Sequence, residues 1–173
     1  SVADRGGDLV SFSDALLRNA QAVLQLCREH SWMITTAESC TGGLIAGCLT
    51  EIAGSSDVVD RGFITYSNAA KQTMLGVTEE MLIVHGAVSE PVARAMAKGA
   101  LARSDAHLAV AVTGVAGPGG GTAEKPVGLV HFGLAARTEA TQTEHYLFAG
   151  NRQAVRLSTV EHAVAMLASV ALP

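Results

Sequence analysis

The chain predicts a three-layer α/β/α sandwich with a mixed β-sheet, folded as a single domain. Two observations carry this. Helix-period and strand-period segments alternate through the first two-thirds of the 173 residues and then give way to a hairpin pattern. Hydrophobic residues make up 49% and charged residues only 16%, enough apolar side chain to fill one substantial core. Neither a repeat nor a Pro/Ser-rich linker divides the sequence.

The elements follow in order. Ser13 to His30 reads as an amphipathic helix, with Leu16, Leu17, Ala20, Val23, Leu24 and Cys27 on one face. Trp32 to Ala37 is a short strand. Thr41 to Leu49 resumes a helical pattern from a Gly-Gly start. AGSSD (53–57) is a turn, and VVDRGFITY (58–66) is a second strand. Asn68 to Leu75 is a short helix stopped by Gly76. Thr78 caps another, with Glu79 and Glu80 in its first turn. In 89–103 Ser89 is the expected cap and Pro91 falls in the first turn. Ala106 to Thr113 is a third strand, apolar enough to be buried on both faces. A Gly-rich loop (114–126) leads to two strands, 127–136 and 141–148, read as a hairpin. Asn151 caps a last helix whose expected core stripe is Leu157, Val160, Val164 and Leu167. Residues 1–12 are read as an N-terminal segment and a candidate for disorder, and 13–173 as the domain.

Composition excludes several classes of function. The net charge is −4 and no basic run exists, so the electrostatic footprint of a nucleic-acid binder is missing. No apolar run is long enough to span a bilayer, and no membrane partner is expected. The N-terminus lacks a basic stretch followed by an apolar core, so no leader is expected. Cys27, Cys40 and Cys48 are odd in number and sit in apolar contexts, which fits reduced thiols in the cytoplasm. The six histidines show no ligand spacing, so a structural metal is not expected; no cofactor is expected either. Only three lysines are present, Lys71, Lys98 and Lys125.

Four stretches bear on chemistry. In TTAESCTGG (35–43) Ser39 falls between a strand and a helix, at the sheet edge where α/β domains bind ligands. The N–H groups of Thr41, Gly42 and Gly43 would be unpaired at the helix start, free to hold an oxyanion or a phosphate. Equally, Ser39 or Thr41 could simply cap the helix. The stretch is not a G-x-S-x-G elbow, because Ala37 stands two before Ser39, and Cys40 is a rival nucleophile. In TYSNAAK (65–71) Lys71 lies in the first turn of a helix. The helix dipole and burial would both lower its pKa, making it a candidate base, with Tyr66 nearby as a proton relay. An exposed helix-start lysine is the plain alternative. TGVAGPGGGTAEKPVG (113–128) fits neither the Walker A nor the dinucleotide frame, and is either a pocket wall or a surface loop. Arg152 and Arg156 stand one helical turn apart, as an anion clamp or a solvated face.

Taken together, TTAESCTGG, AGSS, RGFITYSNAAK, HGAVSEPVA, TGVAGPGGGTAEKPVG and the terminal NR/VR pairs resemble the CinA C-terminal domain family, the PncC-like nicotinamide-nucleotide amidases, in order and spacing. The resemblance covers Ser13 to Ser169. It implies a three-layer sandwich that hydrolyses the carboxamide of nicotinamide mononucleotide without a metal. The family's nucleophilic serine falls on Ser39, its lysine on Lys71 and its tyrosine on Tyr66. Cys40, Thr41, Gly42 and Gly43 are expected to supply oxyanion donors. Thr113, Gly114 and Gly117 are expected substrate contacts, and Arg152 a phosphate ligand. The implied partner is a small-molecule nucleotide, and the implied assembly a homodimer. An inactive nucleotide-binding or assembly module of the same fold is the alternative reading.

Overall fold

The computed structural model describes residues 11–171. Most of the expected N-terminal segment, residues 1–10, lies outside the described residues. Phe12 already packs against the core. Helix α1 (Asp14–Glu29) is capped by Ser13, whose hydroxyl accepts from the Leu16 N–H. Strand β1 (Ile34–Glu38) is buried along its whole length. Helix α2 spans Leu44–Thr50, followed by a 3₁₀ turn at Ser55–Asp57 and strand β2 (Val59–Ile64). Three helices come next: α3 (Asn68–Leu75), α4 (Glu79–His85) and α5 (Glu90–Ala102). Strand β3 (Leu108–Gly114) leads through the Gly-rich loop to β4 (Leu129–Ala136) and β5 (Glu139–Leu147). Helix α6 (Arg152–Ala171) is the last element among the described residues.

The sheet order is β2-β1-β3-β4-β5. β1 pairs in parallel with β2 and β3, while β3–β4 and β4–β5 are antiparallel. The sheet is therefore mixed, as expected. One face packs α1, α2 and α6 around Val23, Leu24, Leu49, Phe132, Val160 and Leu167. The other packs α3, α4 and α5 around Leu75, Val92, Met96, Ala97 and Ala111. Gly133 permits the close seat of α5, since a Cβ there would lie 2.5 Å from the Ala93 carbonyl oxygen.

Three local expectations need correction. The helix after β1 starts at Leu44, not Thr41, because Gly42 and Gly43 take positive φ (57° and 106°) and form a turn first. Ser89 begins α5 without capping it; its hydroxyl donates to the Gly86 carbonyl. Leu157 is only half-buried, and the buried stripe of α6 runs through Val155, Thr159, Val160, Ala163 and Val164. Among the described residues no helix is long and apolar enough to cross a membrane.

This topology gathers four connections at one sheet edge. β1, β2, β3 and β5 all point their carboxyl ends the same way, by the pairing just given. Ser39, Tyr66, the Gly-rich loop and the start of α6 follow those ends.

Candidate active site

Ser39 is the first residue beyond β1, and its N–H is still tied to the Val112 carbonyl of β3 (3.1 Å). That bond fixes its backbone to the middle of the sheet. The residue is buried, as is Lys71, which rides on α3 with 1% exposure. Ser67 starts α3 by accepting from the Ala70 N–H, which turns Lys71 inward beneath the 65–66 segment. Its Nζ lies 2.9 Å from Ser39 Oγ, 2.8 Å from the Thr65 carbonyl oxygen and 3.3 Å from that of Tyr66.

Those three partners have a chemical consequence. A neutral lysine amine has two N–H bonds and one lone pair. Two carbonyls can only accept, so they take the two N–H groups. The lone pair is left for the Ser39 hydroxyl. Burial lowers the Lys71 pKa from its ordinary 10.5, favouring that neutral form. The expected dipole effect is not needed. The site therefore holds an amine placed to accept a proton from a serine, which is the arrangement of an activated nucleophile.

Cys40 is a poor rival. It is buried, and that burial pushes its thiol up to about 11, so the reactive thiolate is scarce.

The expected open helix N-terminus is not open. Glu38, 1% exposed, turns its carboxylate back onto it. Oε1 accepts from Thr41 Oγ1 (2.6 Å) and the Ile45 N–H (2.9 Å), and Oε2 from Thr36 Oγ1 (3.2 Å) and the Ala46 N–H (3.1 Å). A phosphate cradle there is excluded, since a carboxylate already fills it. In the turn, the Gly42 N–H is spent on the Ser39 carbonyl (3.1 Å). The N–H groups of Cys40, Thr41 and Gly43 have no hydrogen-bond partner among the described residues.

A cavity of about 210 Å³ opens over this dyad. Of the expected residues it brings together Ser39, Cys40, Tyr66, Lys71, Thr113, Gly114 and Arg152. Thr41, Gly42, Gly43 and Gly117 are not on its wall. Thr113 donates its hydroxyl to the Ala87 carbonyl (2.9 Å), joining β3 to the loop before α5. Tyr66 is 61% exposed. Its phenol accepts from Arg152 (3.0 Å), and the same guanidinium donates to the Gly117 carbonyl (2.8 Å). The relay geometry is thus not observed: Lys71 reaches Ser39 directly, and Tyr66 supports the lysine through its backbone carbonyl. A larger cavity of about 490 Å³, walled by Pro118, Val127, Asn151 and Gln153, shares Ala116 and Arg152 with the first.

Arg152 and Arg156 do not act as a pair. Arg156 donates to the carbonyls of Cys40 (3.1 Å) and Thr41 (3.3 Å), clamping the nucleophile turn from α6. Neither arginine has a carboxylate partner among the described residues, and of the two only Arg152 lines the cavity. Sequence reasoning missed Glu38, Asn68 and the clamping role of Arg156. Glu38 carried one available signal, an acid ending a buried strand just before a helix. Asn68 lines the cavity beside Lys71 from the first position of α3.

Comparison with known proteins shows the family. The family model for the CinA C-terminal domain matches residues 17–171. The nicotinamide-nucleotide amidohydrolase PncC of Enterobacter agglomerans is 57% identical over 130 residues, covering 75% of this chain and 79% of that protein. A CinA-like protein of Syntrophobacter fumaroxidans is 54% identical over 140 residues, which is 81% of this chain but 33% of its own length. This chain thus spans about a third of the larger relatives it matches. The crystal structure of the competence/damage inducible protein CihA from Agrobacterium tumefaciens superposes with a TM-score of 0.91 at 52% identity, covering 94% of this chain and 99% of that one.

Proposed function

The chain belongs to the CinA C-terminal domain family, and from that premise we propose that it hydrolyses the carboxamide of nicotinamide mononucleotide to nicotinate mononucleotide and ammonia. The observation that carries the proposal is the buried Lys71 Nζ, 2.9 Å from Ser39 Oγ with two backbone carbonyls on its N–H groups. PncC relatives named for this activity support the substrate.

In the proposed reaction neutral Lys71 takes the Ser39 proton as Oγ attacks the amide carbon. The oxyanion forms against the N–H of Cys40, the turn residue that also lines the cavity. Such a donor is worth on the order of 3 kcal/mol. The Lys71 ammonium then gives its proton to the leaving nitrogen, and the C–N bond breaks to release ammonia. Water, deprotonated by the same amine, hydrolyses the acyl-enzyme and frees Ser39. The 210 Å³ cavity suits the pyridine carboxamide. The ribose phosphate extends toward Arg152, whose charge has no carboxylate partner, and into the 490 Å³ cavity beyond. Tyr66 walls the site and holds Arg152 in readiness.

Residues 13–173 act as the amidase domain in this reading, working in the cytoplasm as a homodimer. Exposed Ile64, Ile83 and Val84 supply apolar surface for self-association. Ammonia release from nicotinamide mononucleotide is the direct test. Wild-type turnover, with none from Ser39→Ala, supports the proposal. Full activity in Ser39→Ala or in Lys71→Ala would end it.

A further inference from the structure

Glu38 is a buried acid with no cationic side chain bonded to it. All four of its hydrogen-bond partners are neutral donors, two hydroxyls and two backbone N–H groups. A carboxylate in so dry a place is costly unless its lone pairs are filled, and here they are. The positive end of α2 adds to its stabilisation.

The residue joins both halves of the dyad. Its side chain grips Thr41 and the first turn of α2, so both sides of the Ser39–Gly43 turn are anchored to one carboxylate. Its backbone carbonyl accepts from the Thr65 N–H at 2.9 Å. Thr65 in turn offers its own carbonyl to Lys71 Nζ at 2.8 Å. Nucleophile and base are therefore referenced to the same residue, one through its side chain and the other through its main chain.

We propose that Glu38 is a positioning residue, holding Ser39 and the oxyanion turn in register with Lys71. It does not line the cavity, so its effect is exerted through Ser39 and the turn. The proposal rests on the amidase reading for its natural substrate, but not for its principal readout.

Glu38→Gln tests it at nearly constant shape. One carboxylate oxygen becomes an NH₂ that must face the backbone N–H of Ile45 or Ala46, donor against donor, while the threonine hydroxyl beside it can rotate to accept. The turn has to shift to relieve this. A displacement near 1 Å costs roughly 10²-fold in rate. With nicotinamide mononucleotide, kcat is expected to fall by about that factor while KM stays within about threefold. Labelling of Ser39 by a fluorophosphonate should slow in parallel. In that reaction Oγ displaces fluoride at phosphorus, and Lys71 takes the proton. Thr41→Val removes only the 2.6 Å hydroxyl donor and should give a smaller loss of the same kind, so it decides the matter if Glu38→Gln does not fold.

A folded Glu38→Gln chain with unchanged kcat and unchanged labelling overturns the proposal, as does a rise in KM at constant kcat. If the wild type labels at Ser39 but leaves nicotinamide mononucleotide intact, the amidase reading fails. Slower labelling of the variants then still supports Glu38. A wild-type Ser39 that neither labels nor turns over overturns both.

Discussion

Ser39 with Lys71, and Tyr66 with Arg152, line one cavity yet are built in opposite ways. The first pair is buried and bound to strand ends: Ser39 through the Val112 carbonyl, Lys71 through the carbonyls of Thr65 and Tyr66. The second pair is exposed, and its members hold each other by a single phenol–guanidinium bond. A base must be dry and fixed to keep a depressed pKa. A group that binds a charged ligand must be able to exchange its resting partner for that ligand. In the proposed reaction the contrast separates a rigid chemical wall from an exchangeable binding wall.

The strongest way to break that contrast is to empty the chemical wall. Ser39→Ala and Lys71→Met should each cost at least about 10³-fold in kcat, with little change in the other parameters. Lys71→Met should also raise Tm, because it removes a buried amine. The sign follows from linkage. Burial lowers the folded-state pKa below the ordinary 10.5, so between the two values the unfolded chain binds more protons. Wild-type stability therefore climbs with pH through that window and is lost as pH falls across it. The methionine variant should lack this slope in thermal melts at graded pH. The wild-type rate should climb with pH along a limb centred below 10.5. A limb at or above that value would mean the amine is not the base.

The binding wall should fail differently. Arg152→Met removes a charge-assisted contact to the proposed phosphate, and a 10- to 100-fold rise in KM is expected from about 1.5–3 kcal/mol. Initial rates over a wide substrate range will separate this from a kcat effect. If kcat falls instead and KM holds, the two walls are not functionally distinct.

How much of this was legible beforehand follows the range of the interactions. The fold was legible because helix caps such as Ser13, Ser67 and Thr78 and the periodic apolar stripes are local signals. Ser39 and Lys71 each looked ambiguous alone, since their pairing spans 32 positions of sequence and exists only once β1 and α3 are packed. The family resemblance linked them where periodicity did not. Glu38 was hidden for a different reason. An acid at the end of an apolar strand reads as a solvated terminus, and only the Gly42–Gly43 turn brings α2 back over it. The roles of the two arginines were beyond pattern altogether, because residues one turn apart on α6 contact different loops.

Tyr66→Phe sharpens the comparison with a smaller effect. It deletes the phenol that holds Arg152 but leaves the backbone carbonyl that holds Lys71. Loss of one neutral partner is worth about 1 kcal/mol, or roughly fivefold in kcat/KM. A loss as large as that of Lys71→Met would restore the phenol to the proton path and move Tyr66 onto the chemical wall.

The smallest expected effect concerns Cys40, the neighbour of Ser39. Both side chains leave the same turn, but they meet different surroundings. Ser39 Oγ meets an amine, whereas Cys40 belongs to the core cluster that includes Ile45 and Val112. Its thiol, pushed up to about 11, stays protonated at neutral pH. In the proposed reaction it contributes only its main-chain N–H, which Cys40→Ala retains. Cys40→Ala should therefore keep the rate while lowering Tm slightly through lost packing. Iodoacetamide should leave wild-type activity intact. Rapid inactivation by iodoacetamide that Cys40→Ala abolishes would make the thiol the nucleophile and leave the Ser39–Lys71 contact as scaffold.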